Sequence, residues 1–278
     1  MLNACIFILT YKRPTLQHTL KYLRKCKVDM PIYLVLSDDD PTISEYENLY
    51  GRGMIKVFNK DLIAKETKMQ KIINTKASVV YARNYVFTLA KKLGYDFFIM
   101  LDDDYRYIYP LVQRLKGINT NLTECLTECL TECLKTLKEN PRIDCIALAQ
   151  GGDMVGGVYD KKHIKRKIMN VFFCATDRDF KFYSTMNDDV STYTLLGARG
   201  KLFLQIPYLV LQQCITQSQK GGLTDMYLEF GTYNKSMATK IILPSACNVE
   251  YSMTMGRIHH RINYNRMPKL ISGNYKKL

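Results

Sequence analysis

The sequence predicts an α/β protein built on a Rossmann-like wound, mostly parallel sheet, and three observations carry that reading. Short β-branched or aromatic runs alternate with helical patterns through the first hundred residues, polar segments trail those runs, and the alternation gives way downstream to sequence rich in strands and turns. The runs span 4–9, 32–36, 54–58 and 96–101. Between the first two, Leu16, Leu20 and Leu23 recur at helical spacing. Before the fourth, Val79, Val86, Phe87, Ala90 and Leu93 do the same, and Gly94 supplies the helix stop. The resulting order, βαβαβαβ, calls for parallel strands joined by crossover helices flanking the sheet.

In open sheets of this kind ligands bind beyond the carboxyl ends of the strands. Strand one trails into Thr10-Tyr11-Lys12-Arg13-Pro14, strand two into Ser37-Asp38-Asp39-Asp40 and strand four into Asp102-Asp103-Asp104. Three carboxylates leaving a buried strand repel one another unless a positive charge lies between them, and a hard divalent cation, magnesium or manganese, answers that need with oxygen ligands. An acidic turn is the plainer account, since Asp is favoured in turns. Its place on the fourth strand of a wound sheet favours a metal–diphosphate site. Neither GxxxxGK[ST] nor GxGxxG occurs, so phosphate must be held otherwise, by the cation and by basic side chains such as Lys12 or Arg13.

A second acidic pair stands in Asn187-Asp188-Asp189-Val190, ahead of an apolar run. Taken alone it reads as a helix N-cap with carboxylates that complement the helix dipole. Across a cleft from a cation, one of the pair would serve as general base toward an attacking hydroxyl. His259 and His260 lie between Arg257 and Arg261, where neutral core imidazoles make little sense, and a metal or phosphate contact is the alternative.

Lys and Arg outnumber Asp and Glu by 14 and the pI is near 9.3, which favours polyanionic partners: nucleic acid, nucleotides or an anionic surface. The cluster Lys161, Lys162, Lys165, Arg166 and Lys167 reads as a nucleic-acid contact or as a solvated loop. Beyond Tyr251 the chain carries six Arg and Lys and no acidic residue, a pattern suited to a lid over phosphates. No stretch of eighteen apolar residues occurs, and the run at 4–9 is too short for a signal peptide, so no membrane partner and a cytoplasmic location are expected. Nine cysteines without a CxxC pair speak against a disulfide framework or a zinc ribbon. Much Lys, Asn, Ile and Tyr with no Trp suggests an AT-rich genome, as in many viruses. Leu-Thr-Glu-Cys occurs three times in tandem, ending at Cys133. A period of four drifts by about 40° per copy around a helix, so the repeat should lengthen one helix and bring no chemistry of its own.

A first strand ending in Thr-Tyr-Lys-Arg-Pro, a helix bearing Ala82-Arg83-Asn84 and a strand ending in Leu-Asp-Asp-Asp, in that order, resemble the GT-A class of nucleotide-sugar glycosyltransferases. With Lys167-Ile168-Met169-Asn170, Asn187-Asp188-Asp189-Val190, Gly221-Gly222-Leu223-Thr224-Asp225 and Arg257-Ile258-His259-His260, the fuller pattern is similar to the TET-associated glycosyltransferases, a phage-rich GT-A group linked to decoration of hydroxymethylated pyrimidines in DNA. The resemblance implies one GT-A domain over 1–278, with a nucleotide-binding half (1–104), a strand-rich acceptor-side half (105–255) and a basic lid (256–278). It implies a nucleoside-diphosphate sugar donor, most simply a UDP-sugar, a manganese or magnesium ion, and DNA as acceptor. Thr10, Arg13, Asp39, Arg83, Asp102 and Asp103 would border the nucleotide-sugar. Asp104, Asp102, His260 and His259 would meet the metal, and Asp189, with Asp188 beside it, would be the base of an inverting transfer. Asp188 stands where Glu is the more frequent start of such a pair, and the LTEC repeat has no counterpart in the pattern.

Other acceptors, carbohydrate or protein, fit the same motifs. A nucleotidyltransferase would share the topology but tends to carry a glycine-rich loop where Tyr11-Lys12-Arg13-Pro14 stands. A non-catalytic nucleic-acid-binding protein would keep the basic surface without needing both acidic pairs.

Overall fold

The computed structural model describes residues 2–67, 79–110, 125–150, 166–214, 224–253 and 256–266. Along the chain run β1 (Ala4–Leu9), α1 (His18–Lys25), β2 (Ile32–Ser37), α2 (Ile43–Tyr50), β3 (Ile55–Phe58), α3 (Lys60–Glu66), α4 (Val80–Lys92), β4 (Phe97–Asp102) and β5 (Tyr105–Pro110). Then follow α5 (Leu126–Glu139), β6 (Cys145–Gln150), β7 (Phe172–Ala175), α6 (Asp188–Ala198), β8 (Phe203–Gln213), α7 (Thr224–Ile242), β9 (Cys247–Ser252) and β10 (Arg257–Ile262).

Eight strands form one mixed sheet in the order β3-β2-β1-β4-β7-β6-β8-β5. The four predicted strands are present and mutually parallel, β3 with β2, β2 with β1 and β1 with β4. Every residue of β1 is buried, and the strand's period of two divides them between two cores. Ile6 and Ile8 pack with Leu20 and Leu23 of α1 and with Leu130 and Leu134 of α5, whereas Cys5, Phe7 and Leu9 pack with Val86, Phe87 and Ala90 of α4. Each fully buried side chain of this size contributes about 1.5–3 kcal/mol, so covering both faces is what holds the sheet. Gly94 ends α4 with φ at 78°, the left-handed conformation that glycine adopts without steric cost. Leu16 departs from the expected helix: it lies before α1, 43% exposed, in a turn closed by its N–H to the Arg13 carbonyl.

The tandem repeat forms α5, with 122–124 outside the described residues. The drift per copy is visible in its cysteines: Cys125 is exposed, Cys129 half-buried and Cys133 buried, while Leu126, Leu130, Leu134 and Leu137 all face the core.

The second half does not form a separate unit, because β7 pairs antiparallel with β4 and carries the sheet onward through β6 and β8. β5, which follows β4 after a two-residue turn, pairs instead with β8 at the far edge. β9 and β10 form their own antiparallel ribbon, so the boundary expected at 255/256 falls between two paired strands. α7 is broken at Gly231, and it packs on β10. Among the described residues no helix is long and apolar enough to cross a membrane.

Candidate active site

β1 lies between β2 and β4, so the chain winds one way through β2 and β3 and then returns to the opposite side of β1. A crevice opens at such a switch point, beyond the carboxyl ends of β1 and β4. The register pairs Leu9 with Asp102, which sets Thr10 beside Asp103.

Alternation at the end of β4 turns Asp103 inward and leaves Asp102 and Asp104 partly exposed. Asp103 is 4% exposed, and its two oxygens accept from Thr10 Oγ1 at 2.7 Å and Arg13 Nη1 at 2.9 Å. Thr10 Oγ1, its proton committed to Asp103, accepts from Gln17 Nε2 at 2.8 Å and from the Tyr46 hydroxyl at 2.7 Å. Thr10, Arg13 and Asp103, expected beside the nucleotide, thus form a buried network that ties the ends of β1 and β4 together. Thr19 at the start of α1 braces the same turn, its Oγ1 donating to the Asp102 carbonyl at 2.5 Å and its N–H to the Asp103 carbonyl at 3.1 Å.

Asp104 has no ion pair among the described residues. Burial, reinforced by the charges of Asp102 and Asp103, pushes its carboxyl up to about 7. The Asp102 carboxylate accepts from Tyr105 Oη at 3.2 Å and from Arg83 Nη2 at 3.3 Å. Tyr105 Oη also lies 3.3 Å from Asn170 Oδ1.

Arg83, on the first turn of α4, is 4% exposed and packs its guanidinium on the rings of Phe172 and Phe182, at 4.9 and 5.5 Å. Nη1 donates to Asp188 Oδ2 at 2.8 Å while Nη2 faces Asp102. Burial opposes its charge, but Asp188, Asp102 and Asp189 outweigh burial and hold the cation more firmly than usual. The neighbouring Asn84 fixes the segment leading to α6, donating to the Phe182 carbonyl at 3.2 Å and accepting from its N–H at 2.7 Å.

That segment enters α6 through Ser184 and Asn187, with φ of 81° and 53°; Lys12 in the loop after β1 has 56°. Non-glycine residues in this region carry backbone strain that the surrounding bonds must hold. Asp188, the first residue of α6, is buried against Arg83, whereas Asp189 is half-buried and accepts from the Val190 N–H at 2.7 Å. Burial raises the Asp189 carboxyl, against the pull of Arg83 and Lys235. Lys235 of α7 is itself lowered by burial, with Asp189 opposing the shift. A carboxylate raised in this way is a stronger base than a solvent-exposed one, as a group that removes a proton needs to be.

Asn187 Nδ2 lies 3.2 Å from His260 Nδ1 and 3.1 Å from Thr239 Oγ1. With the amide donating to Nδ1, the neutral ring carries its proton on Nε2 and offers no lone pair there to a cation. Burial, with His259, Lys235 and Arg257, brings the His260 pKa down to about 3. The two imidazoles lie 4.4 Å apart between ring centres. They do not join Asp102 and Asp104: among the described residues no group of three or more His, Cys, Asp or Glu side chains is placed to hold an ion. Two carboxylates nevertheless suit a magnesium or manganese ion that brings substrate phosphates and waters as its remaining ligands, and a cation would relieve the crowding at Asp104.

Asp39 is exposed at the end of β2, accepting from Ser37 Oγ at 2.6 Å and pairing with Lys60 Nζ at 2.9 Å. The Lys60 and Lys12 ammonium groups sit 5.2 and 5.0 Å from the Tyr11 ring. Arg166 and Lys167 are half-buried; Lys161, Lys162 and Lys165 lie outside the described residues. Sequence reasoning missed Lys60, Tyr105, Asn170, Asn187 and Lys235 as parts of this constellation. Asn170 and Asn187 left a signal, the first as the last residue of Lys167-Ile168-Met169-Asn170 and the second as the polar residue directly before the acidic pair.

A wound α/β sheet that gathers carboxylates around a buried arginine at its switch point has the architecture of an enzyme that handles nucleotides. The family model described as TET-associated glycosyltransferase matches residues 4–222, and the chain belongs to that family. It is a glycosyltransferase, and the nucleotidyltransferase and non-catalytic readings fall away. Arg83, Asp102, Asp104, Asp188 and Asp189 lie within the match; His259, His260 and the ribbon lie beyond it. No curated protein matches the chain. Among solved structures, a putative nucleotide-diphospho-sugar transferase from Desulfovibrio desulfuricans G20 is 12% identical with a TM-score of 0.45, over 88% of this chain and 95% of that one. Glucosyl-3-phosphoglycerate synthase from Mycobacterium tuberculosis, solved with Mg2+ and uridine diphosphate, is 10% identical with a TM-score of 0.48, over 95% and 91% of the two chains.

Proposed function

We propose that the protein transfers a sugar from a nucleoside-diphosphate sugar, most simply a UDP-sugar, to the hydroxymethyl group of a modified pyrimidine in DNA, with inversion at the anomeric carbon. The observation that carries this reading is the double engagement of Arg83, which joins Asp102 to Asp188 and so makes one cleft of the donor-side and base-side carboxylates. Asp102 and Asp104 would hold a manganese or magnesium ion, whose charge would offset that of the departing diphosphate. Asp189 takes the proton of the acceptor hydroxyl. The freed oxygen forms its bond to the anomeric carbon as the bond from that carbon to the diphosphate oxygen breaks, and its electron pair leaves with the nucleoside diphosphate. Asp188, held by Arg83, keeps the start of α6 in place and leaves Asp189 to act.

DNA as acceptor is supported by the family's description and by the net charge of +14. A base buried in a duplex is out of reach, so the acceptor must be flipped out or single-stranded. The test is incubation with UDP-sugars, manganese and DNA containing hydroxymethylpyrimidine, followed by mass spectrometry of the released nucleosides. A nucleoside heavier by one sugar is expected; transfer to free carbohydrate alone would reject the DNA acceptor.

A further inference from the structure

A phenol carries one proton, yet Tyr105 Oη lies beside two oxygens, Asp102 Oδ2 at 3.2 Å and Asn170 Oδ1 at 3.3 Å. Nδ2, on the other side of the Asn170 amide, is buried with no hydrogen-bond partner among the described residues. One pair of oxygens is thus left without a proton between them, and one N–H group without an acceptor. A half-turn of the amide, which exchanges two atoms of nearly equal size, removes both faults at once. Nδ2 then donates to Tyr105 Oη, and Tyr105 gives its single proton to Asp102. The amide oxygen takes the unpaired place, and buried oxygens are left unpaired more often than buried N–H groups.

We infer that Asn170 and Tyr105 are positioning residues for the divalent cation, a chain of two neutral donors that fixes Asp102 as a metal ligand. The inference rests on the reading of Asp102 and Asp104 as the cation's carboxylates and adds what orients the first of them. Tyr105 Oη and Arg83 Nη2 both engage Asp102 Oδ2, at 3.2 and 3.3 Å. Among the described residues Oδ1 is met by Arg83 Nη2 alone, at 3.5 Å, which leaves that oxygen for the ion. Charge decides why the second donor is a phenol. Arg83 already places one cation beside Asp102, and another basic side chain would oppose a divalent ion, whereas a phenol and an amide orient the carboxylate without charge.

The chain is held at both ends. Tyr105 is 1% exposed, and its N–H donates to Thr19 Oγ1 at 2.9 Å. Asn170, 6% exposed, stands level with Asp102: Met100 of β4 pairs with Phe172 of β7, and Asp102 and Asn170 lie two residues beyond that pair on their antiparallel strands. Between Asn170 and Phe172, Val171 takes a φ of 52°, a left-handed conformation that a β-branched residue rarely adopts. Strain of this kind persists only where the surrounding contacts hold it, and here it lies directly beside the amide.

The test is titration of the protein with manganese, with and without UDP, with free Mn2+ read by electron paramagnetic resonance. Tyr105→Phe, which removes the hydroxyl and keeps the ring, should weaken manganese binding by about 10- to 100-fold. Asn170→Leu, close in size but without the amide, should weaken it less. Because Asn170 acts through Tyr105, the double variant should bind manganese no more weakly than Tyr105→Phe alone. Ile99→Val changes a buried residue of the same strand away from Asp102 and should leave manganese affinity at the wild-type value. Melting curves establish that each variant is folded. Wild-type affinity in Tyr105→Phe, losses that add in the double variant, or an equal loss in Ile99→Val would each overturn the positioning chain while leaving the metal site. A wild-type protein that binds no manganese in either condition, or that binds it as tightly after Asp104→Asn, removes the metal reading itself, and the chain with it.

Discussion

The guanidinium of Arg83 and the carboxylate of Asp188 meet at 2.8 Å across 105 residues of sequence, both of them buried. The same guanidinium reaches Asp102, so the end of β4 and the start of α6 are fixed relative to each other by one side chain. A buried charge is tolerated only when paired, and here the pairing also defines the cleft.

Replacing Arg83 with Met should destabilise the protein by roughly 3–5 kcal/mol, because Asp188 would remain buried without its cation. Asp188→Asn in that background should recover part of the loss. Urea denaturation of the two single variants and the double variant checks this: strictly additive losses would mean that the two groups do not act as a pair.

Asp189→Asn should lower turnover by about 10²–10⁴ while leaving the donor KM and the unfolding midpoint near their wild-type values, since Asp189 is a half-buried acceptor of one backbone N–H. Asp188→Asn should instead lower stability. Steady-state kinetics beside thermal melting separates the two. Full turnover in Asp189→Asn would remove it as the base.

Asp104 sets a pH dependence of defined sign. Its carboxyl, raised by burial and by Asp102 and Asp103 to about 7, holds a proton in the folded state that an unfolded chain has released above about 4. In the metal-free protein its contribution to stability therefore falls as pH rises from about 4 to about 7. A divalent cation takes the deprotonated form, so manganese affinity should fall about tenfold per pH unit below 7 and level off above it. Melting temperatures with and without manganese across this range, with Asp104→Asn as control, measure both effects.

The cysteines of the tandem repeat should alkylate in the order of their exposure. Cys125 should react in the folded protein, and Cys133, buried with its thiol pushed up to about 12, only after denaturation. Mass spectrometry of the modified peptides reads the order directly, and early modification of Cys133 would mean that the drift of the repeat around α5 is misassigned.

By itself the sequence determined the periodic features. Alternation and helical spacing specified β1 to β4 and the helices that cover them, and the four-residue period specified α5, because side-chain direction follows from local backbone geometry. The polar ends of those strands, and the two acidic pairs, were legible for the same reason. Tertiary structure alone decided which of these groups meet. Asp103 turned out to be spent on Thr10 and Arg13, Arg83 on the two acidic pairs, and Lys235 lies near Asp189, none of which has a local signature. The insertion of β7 beside β4 and the transfer of β5 to the far edge were equally hidden. Contacts across a hundred residues depend on the burial and charge pairing of the whole chain, and a carboxylate's role follows from what it faces once that chain has closed.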